Sequence, residues 1–276
     1  MNQSILVYRR FRYLKLALLL VLASVILYAF HQPMRVPNGG TWLGYTLGTI
    51  GVLLILWLMW FGIRKRRYGG GKVMLEDWLS AHVYLGIALI VVATLHTGFQ
   101  FGWNVHTLAY ALMMIVIASG VFGVYAYIRY PLLMTENRRG TTLDQMLAQM
   151  AELDRECRDA AMGLGDEINR YILASSQETR VGGSMWRQLS GRDASCPTHR
   201  ALAQATGLAA KAQREEAAAM RRVVTVLQRK CDLVTRARRD VQIKAMLDVW
   251  LHIHVPLSFA LLAALVAHVI SVFFYW

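Results

Sequence analysis

Two stretches organise the sequence: Trp78–Phe101 (WLSAHVYLGIALIVVATLHTGFQF) and Trp250–Trp276 (WLHIHVPLSFALLAALVAHVISVFFYW). Each is an apolar run long enough to cross a bilayer core as a helix, which takes about 20 residues. Each also carries two histidines fourteen positions apart, His82 and His96 in the first, His254 and His268 in the second. Fourteen residues of α-helix fall only ~40° short of four full turns and rise about 21 Å. The two histidines of each helix are therefore predicted to share one face, one near each side of a membrane.

The composition is that of a membrane protein. Of the 276 residues, 56% are hydrophobic and only 17% are charged, and the mean hydropathy is +0.36. The net charge of +13 comes from clusters beside apolar runs, which is typical of membrane orientation signals, so nucleic-acid binding is not expected. The three cysteines form no CxxC and no CxxCH, which argues against thiolate zinc sites and covalently attached c-type haem.

The predicted fold class is an all-α membrane protein with five transmembrane helices and a helical insertion between the fourth and the fifth. The first helix is expected to be retained, because no clear small-x-small cleavage site follows it. Pro131 is expected to stop the fourth helix. The predicted spans are 12–31, 42–63, 78–101, 106–129 and 249–275. Three domains follow: residues 1–131 (helices 1–4), 132–248 (the insertion) and 249–276 (helix 5, completing the bundle).

Lysine and arginine predict the orientation. Of the 30 Lys and Arg residues, only Arg35 lies on the opposite side of the predicted bundle from the others. By the positive-inside rule the N-terminus and the insertion are cytoplasmic and the C-terminus is periplasmic. The expected location is the bacterial inner membrane, with several passes.

The insertion has a coiled-coil pattern. Apolar positions alternate in steps of three and four from Leu143 to Tyr171 and from Met220 onward, with a Gly/Ser-rich break between the two runs. The sequence therefore predicts an antiparallel coiled-coil hairpin whose second helix continues into the last span. Register places Cys157 opposite Cys231, either as two apolar core residues or as a redox-linked thiol pair.

Histidines inside apolar spans are costly and indicate a functional site. Paired imidazoles above and below a macrocycle suit the iron of a low-spin, electron-carrying haem. Because helices 3 and 5 run in the same direction, His82 is expected to pair with His254 on the inner side. By the same argument His96 pairs with His268 on the outer side. His252 is rotated ~160° away from the face of His268 and remains a candidate for quinone contact or proton transfer.

Small and basic residues surround these positions. Gly86, Gly98, Gly120 and Gly123 give room either for a macrocycle or for ordinary close helix packing. Arg129, with Arg66, Arg67, Lys72 and Lys244, is either a partner of the inner propionates or a positive-inside anchor. Arg35 is the candidate partner of the outer propionates.

The segments HVYLGIALIVVATLHTGF, SGVFGVYAYIRYP and HVPLSFALLAALVAHV resemble di-haem membrane cytochromes b. The resemblance is to the ferric-reductase and NADPH-oxidase type of membrane domain and to bacterial subunits that work beside periplasmic multihaem c-type cytochromes. It covers residues 78–131 and 249–276. The flavin and NADPH domains of the oxidases are not among these residues, so direct NADPH oxidation is not expected.

The expected function is electron transfer across the membrane through two haems b, as the membrane subunit of an oxidoreductase complex. The donor is a quinone or a cytoplasmic-side protein, and the acceptor is an external redox partner such as a periplasmic c-type cytochrome. A cytoplasmic partner could dock on the coiled-coil arm. A haem-based sensor that signals through the coiled coil and a haem transporter are the alternatives.

Overall fold

The computed structural model describes residues 8–34, 36–67, 72–191, 193, 195–213 and 216–274 and contains no strand within them. The helices in chain order are α1 (Tyr8–Phe30), α2 (Trp42–Arg67), α3 (Lys72–Thr97), α4 (Val105–Arg138), α5 (Leu143–Ala160), α6 (Asp166–Glu178), α7 (Met185–Ser190), α8 (Pro197–Ala209) and α9 (Ala217–Phe274).

Five of these helices, α1, α2, α3, α4 and α9, are long and apolar enough to cross a membrane. The described residues therefore confirm the predicted all-helical fold with five helices of sufficient length and apolar composition to cross a membrane.

By its contacts the chain divides into two compact units. Unit 1 comprises Met1–Tyr125 and Trp250–Trp276, and unit 2 comprises Ala126–Val249. All four histidines of the predicted pairs belong to unit 1. The predicted division at residues 131 and 248 into folding domains stays a prediction, since compactness alone does not show independent folding.

In unit 1, α3 occupies the centre. Both α1 and α2 pack against it. Leu89 of α3 joins a buried cluster that also contains Met113 of α4 and Leu261 of α9. Val92 of α3 joins a second cluster with Leu43 of α2. The helix that carries His82 and His96 is therefore fixed by tertiary packing along its length.

The fourth helix does not end at Pro131, and that prediction is wrong. The helix α4 continues through this residue to Arg138. Proline inside a helix removes one backbone hydrogen bond and its ring crowds the carbonyl four residues earlier, but packing can outweigh this cost. Here Tyr130, Leu133 and Met134 pack with Ile243 of α9, which holds the chain in helical conformation on both sides of the proline.

The coiled-coil hairpin predicted for residues 132–248 is not confirmed. The first heptad run is divided, because α5 ends at Ala160 and α6 begins at Asp166. Gly163 sits between them at φ +87°, a backbone conformation that favours glycine. The predicted Gly/Ser-rich break contains α7 and the start of α8, and α8 packs on α6. The apolar steps of three and four therefore mark the buried faces of a helical cluster.

The core of unit 2 contains a buried cation. Lys230 of α9 is 2% exposed, and its Nζ donates to Asp154 at 2.5 Å and to the Ser175 carbonyl at 2.8 Å. The Ser175 hydroxyl continues the network to Thr198 at 3.0 Å. These bonds connect α5, α6, α8 and α9, and since a buried charge must be paired they restrict the arrangement of the four helices.

All three cysteines are free and buried. Cys157 lies in a core cluster with Leu227, and the cysteine that acts electrostatically on Cys231 is Cys196. Burial, reinforced by Asp154, raises the pKa of the Cys157 thiol to about 11, and burial together with Cys196 raises the pKa of Cys231 to about 11. Both thiols are therefore protonated and weakly nucleophilic at neutral pH.

We expect folded protein to resist a thiol reagent at neutral pH under conditions in which the unfolded chain reacts fully. Because the folded thiols hold protons that the unfolded chain releases, their contribution to stability is present below about pH 8.5 and is lost as the pH rises towards about 11. Denaturant unfolding across alkaline pH measures this decline. A double variant, Cys157→Ala with Cys231→Ala, should flatten it, and rapid labelling of folded protein would contradict the account.

Candidate functional site

The structure brings His96 of α3 and His268 of α9 together. Their ring centroids are 6.0 Å apart and the ring planes are nearly perpendicular, at 82°. Two imidazoles on opposite sides of one metal ion, each bound at about 2.0–2.1 Å, have centroids roughly 6 Å apart. The separation of the two rings is therefore one at which both imidazoles could hold a single metal ion.

The ring of His96 is fixed by the start of α2. Its Nδ1 lies 2.7 Å from the Gly44 carbonyl oxygen. A carbonyl can only accept, so Nδ1 carries the proton and Nε2 keeps its lone pair for a metal. A Cβ at Gly48 would lie 2.7 Å from His96 Cε1, and one at Gly39 would lie 3.2 Å from it. The two glycines thus form a cradle that a larger residue would fill.

The ring of His268 is held by a third histidine. The Nδ1 atoms of His106 and His268 are 2.6 Å apart, and the two rings meet edge to face at 4.6 Å. One of the two nitrogens must donate and the other accept. When His268 donates, its Nε2 is available as a ligand. The sequence does not predict that His106 holds the ring of His268. Its position just before the apolar run of α4 is the only indication that it lies near the site.

The ring of His254 is held by Ser119 of α4. The Ser119 hydroxyl donates to the Val116 carbonyl at 2.8 Å and lies 2.6 Å from His254 Nδ1. With the hydroxyl proton directed at the Val116 carbonyl, Ser119 can accept the N–H of His254. Hydrogen bonds of this kind from the non-ligating nitrogen are the usual support of a metal-bound histidine.

Trp250 completes the surroundings of His254. Its indole Nε1 donates to the Ser119 carbonyl at 2.8 Å, and its ring lies 5.4 Å from that of His254. The indole rests directly on Gly123, where any Cβ would collide with it. Sequence reasoning missed Ser119 and Trp250, because serine and tryptophan are common in helices for unrelated reasons.

His82 lies near both α2 and α9. The Leu58 backbone carbonyl is within hydrogen-bonding reach of its ring, and His254 is close enough to act on it electrostatically. The rings of His96 and His268 are therefore neighbours, and His82 is close enough to His254 for their charges to interact. His252 is exposed.

The four candidate glycines differ in their surroundings. A Cβ at Gly86, four residues from His82, would meet nothing within 4 Å, and one at Gly120 would meet only His254 Cε1, at 3.8 Å. Gly98, at φ +56°, packs against the Pro37 carbonyl, and Gly123 packs against Trp250. Gly86 and Gly120 thus leave space beside histidines, whereas Gly98 and Gly123 allow close packing.

None of the candidate propionate partners whose side chains the structure describes is seen in contact with the histidines. Arg129 is exposed on α4 in unit 2. Arg35 lies outside the described residues, as do the side chains of Arg66, Arg67 and Lys72.

Among the described residues, no group of three or more His, Cys, Asp and Glu side chains is arranged to hold a metal ion by itself. Each histidine pair offers two imidazoles, which is the number that a haem iron takes from a protein in bis-histidine ligation. The chemistry of the donors, with Nδ1 bonded in His96, His254 and His268, fits such a group. No protein-family model, curated protein or solved structure matches the chain.

Gly123→Ala should place a methyl group inside the volume of the Trp250 indole and lower the free energy of unfolding by about 1–3 kcal/mol. Gly62 is the matched control, because it also lies in a helix and a Cβ there meets nothing within 4 Å. Gly62→Ala should raise stability by about 0.5–1 kcal/mol. Thermal unfolding of the purified variants gives the comparison, and equal melting temperatures for the two would refute the packing assignment.

Proposed function

We propose that this protein is a di-haem b-type cytochrome of the bacterial inner membrane, acting as the electron-transfer subunit of an oxidoreductase complex. The observation that carries the proposal is the contact between His96 of α3 and His268 of α9, with the Nδ1 atoms of both rings and of His254 engaged by neighbouring groups. A structural histidine in an apolar bundle needs only one hydrogen-bonded partner. Four histidines on the same two helices, fourteen residues apart in each, are better explained as residues that would hold two haems.

Each residue has a defined task in this proposal. His82 and His254 would hold one haem, and His96 and His268 the other. Gly44, Ser119 and His106 orient the ligating rings by accepting their N–H groups, which also raises the basicity of the ligating nitrogens. A bound haem supplies a one-electron ferric/ferrous couple.

The spacing along the helices supports transfer between the two sites. The histidines of α3 are fourteen residues apart, as are those of α9, which corresponds to about 21 Å of rise. One pair would lie near each membrane surface. The positive-inside rule favours His82 and His254 on the cytoplasmic side, with the insertion and the exposed Arg129.

The partners follow from this placement. A quinone or a cytoplasmic-side protein is the proposed donor, and a periplasmic protein such as a c-type cytochrome is the proposed acceptor. Phe101 and Trp103, in the connection between α3 and α4, are exposed close in sequence to His106. Exposed aromatic side chains at this end suit a docking surface for a redox partner.

The continuity of α9 favours a second candidate. This single helix runs from Ala217 to Phe274 and so carries both the buried Lys230 and the ligand candidate His254. A haem-based sensor would use such a helix to couple the state of its iron to unit 2. In that case crosslinking between α5 and α9 would differ between oxidised and reduced protein, whereas an electron carrier requires no difference.

Substitution of the histidines tests the pairing. His82→Ala and His254→Ala should each remove the same haem, because each deletes one of its two axial ligands, and His96→Ala and His268→Ala should each remove the other. His199→Ala, in α8, is the control and should keep both. Redox-titrated absorption spectra of the purified variants identify the haem that remains. Loss of different haems from the two members of a pair would contradict the assignment.

The groups that hold the rings should tune the two haems separately. Ser119→Ala should raise the midpoint potential of the haem held by His254, and His106→Leu that of the haem held by His268, because a lost N–H acceptor lowers ligand basicity and disfavours ferric iron. A hydrogen bond contributing about 0.5–1.5 kcal/mol corresponds to roughly 20–65 mV for a one-electron couple. Potentiometric titration measures both shifts.

Ser24→Ala is the matched control for the serine, since Ser24 makes the same kind of bond to the carbonyl four residues earlier in α1. It should leave both potentials unchanged. If Ser119→Ala and His106→Leu moved the same haem, the two hydrogen bonds would not serve separate sites.

A further inference from the structure

The short helix α7 in unit 2 displays two large apolar side chains to the surroundings. Trp186 is 82% exposed and Met185 is 49% exposed. Trp186 is also the only tryptophan between residues 126 and 249. An exposed indole gains little in bulk water, but its amphipathic ring is favoured at a membrane–water interface.

The segment that carries α7 is firmly attached to α9. The Arg238 guanidinium, almost fully buried, donates to the Arg180 carbonyl at 2.9 Å and to Asp193 at 3.1 Å. Four residues later, the Gln242 side chain donates to the Leu189 carbonyl at 2.7 Å. Both ends of the segment are thus fixed, so Trp186 is presented by an ordered platform.

The attachment lies at the apolar end of unit 2. Gln242 is followed by Ile243, which is buried against Ala126 and Tyr130 of α4. Next to these two residues, Tyr127 and Ile128 turn large apolar surfaces outward. The end of unit 2 where α7 is held is therefore the end at which α4 still has the character of a membrane span.

The charge of this end is positive. The buried acid Asp240 pairs with Arg138 at 2.7 Å, and Asp193 pairs with Arg238. The exposed Arg239 and Lys244 form no ion pair with any described acid, and the exposed Arg187 acts on Asp193 only from beyond salt-bridge distance. Cations beside an exposed tryptophan complement the phosphates of an anionic lipid surface.

We propose that α7 is an interfacial anchor, with Trp186 and Met185 inserted among anionic lipid headgroups and Arg187, Arg239 and Lys244 set against their phosphates. The anchor rests on the membrane placement in the proposed function. It assigns to the insertion a contact with lipid in addition to any contact with a protein partner.

The test uses the full-length protein in phosphatidylcholine vesicles with and without phosphatidylglycerol. A fluorophore sensitive to polarity is attached at Met185→Cys, which keeps Trp186, and is quenched by lipids that carry a nitroxide near the headgroup. The native thiols are buried, and the raised pKa of Cys157 and Cys231 keeps them unreactive, so the parent protein should remain unlabelled.

Two control positions give the quenching expected for a probe in lipid and for a probe in water. Phe259→Cys, at a 61% exposed site in the apolar part of α9, is the lipid control. Met162→Cys, at a 74% exposed site after the end of α5, is the aqueous control. The helix α5 begins shortly after the apolar helix α4 and spans 18 residues, or about 27 Å. Met162 lies beyond its far end, and a probe there is expected to stay in water.

We expect the probe at Met185 to be quenched at least threefold more than the probe at Met162, and more strongly when phosphatidylglycerol is present. Trp186→Ser or Arg187→Gln in the Met185→Cys background should reduce the quenching. Quenching at Met185 no greater than at Met162 overturns the anchor. Protection of Met185 from both lipid-borne and aqueous quenchers also overturns it, because a protein then covers α7.

The same samples test the proposed function separately, through the quenching at Phe259 and the haem absorbance. If the probe at Phe259 is also unquenched, the membrane placement itself fails, and the anchor with it. If Phe259 is quenched and Met185 is not, only the anchor fails. The haem absorbance of each preparation reports on the ligand assignment whatever the outcome at Met185.

Discussion

Placing an imidazole among apolar helices is costly unless its polar nitrogens are hydrogen-bonded, and this constraint accounts for the contacts around three histidines of unit 1. Gly44, Ser119 and His106 provide those partners for His96, His254 and His268. Each lies against Nδ1, and where Nδ1 carries the proton, Nε2 keeps its lone pair for a metal. The hydrogen bonds therefore fix both the orientation of the rings and the chemistry that they can perform.

The packing of unit 1 serves the same constraint. The cradle of Gly39 and Gly48 brings the backbone of the α1–α2 connection and of α2 against His96, and Gly123 brings α4 against Trp250. Trp250 in turn donates to the Ser119 carbonyl. A Cβ at Gly48 would collide with the His96 ring and one at Gly123 with the Trp250 indole, so packing and proposed ligation depend on the same few contacts.

Much of this arrangement could be predicted from the sequence, since apolar length and a fourteen-residue repeat are properties of single helices. Partners from other helices could not, because Ser119 and His106 have no pattern that separates them from ordinary helical residues. The prediction that α4 ends at Pro131 is wrong for a related reason. The helix-breaking effect of the proline is outweighed by the packing of Tyr130 and Met134 with Ile243 of another helix. The heptads of the insertion marked buried faces correctly but gave no information on how many helices share them.

The central claim is that the two histidine pairs are the axial ligands of two haems. Near-infrared magnetic circular dichroism of the purified oxidised protein, combined with a haem count per chain, tests it most directly. The account predicts two low-spin haems per chain, both with the charge-transfer band of bis-imidazole ligation. A protein purified without haem, or one whose iron is high-spin or carries a single histidine, would contradict it.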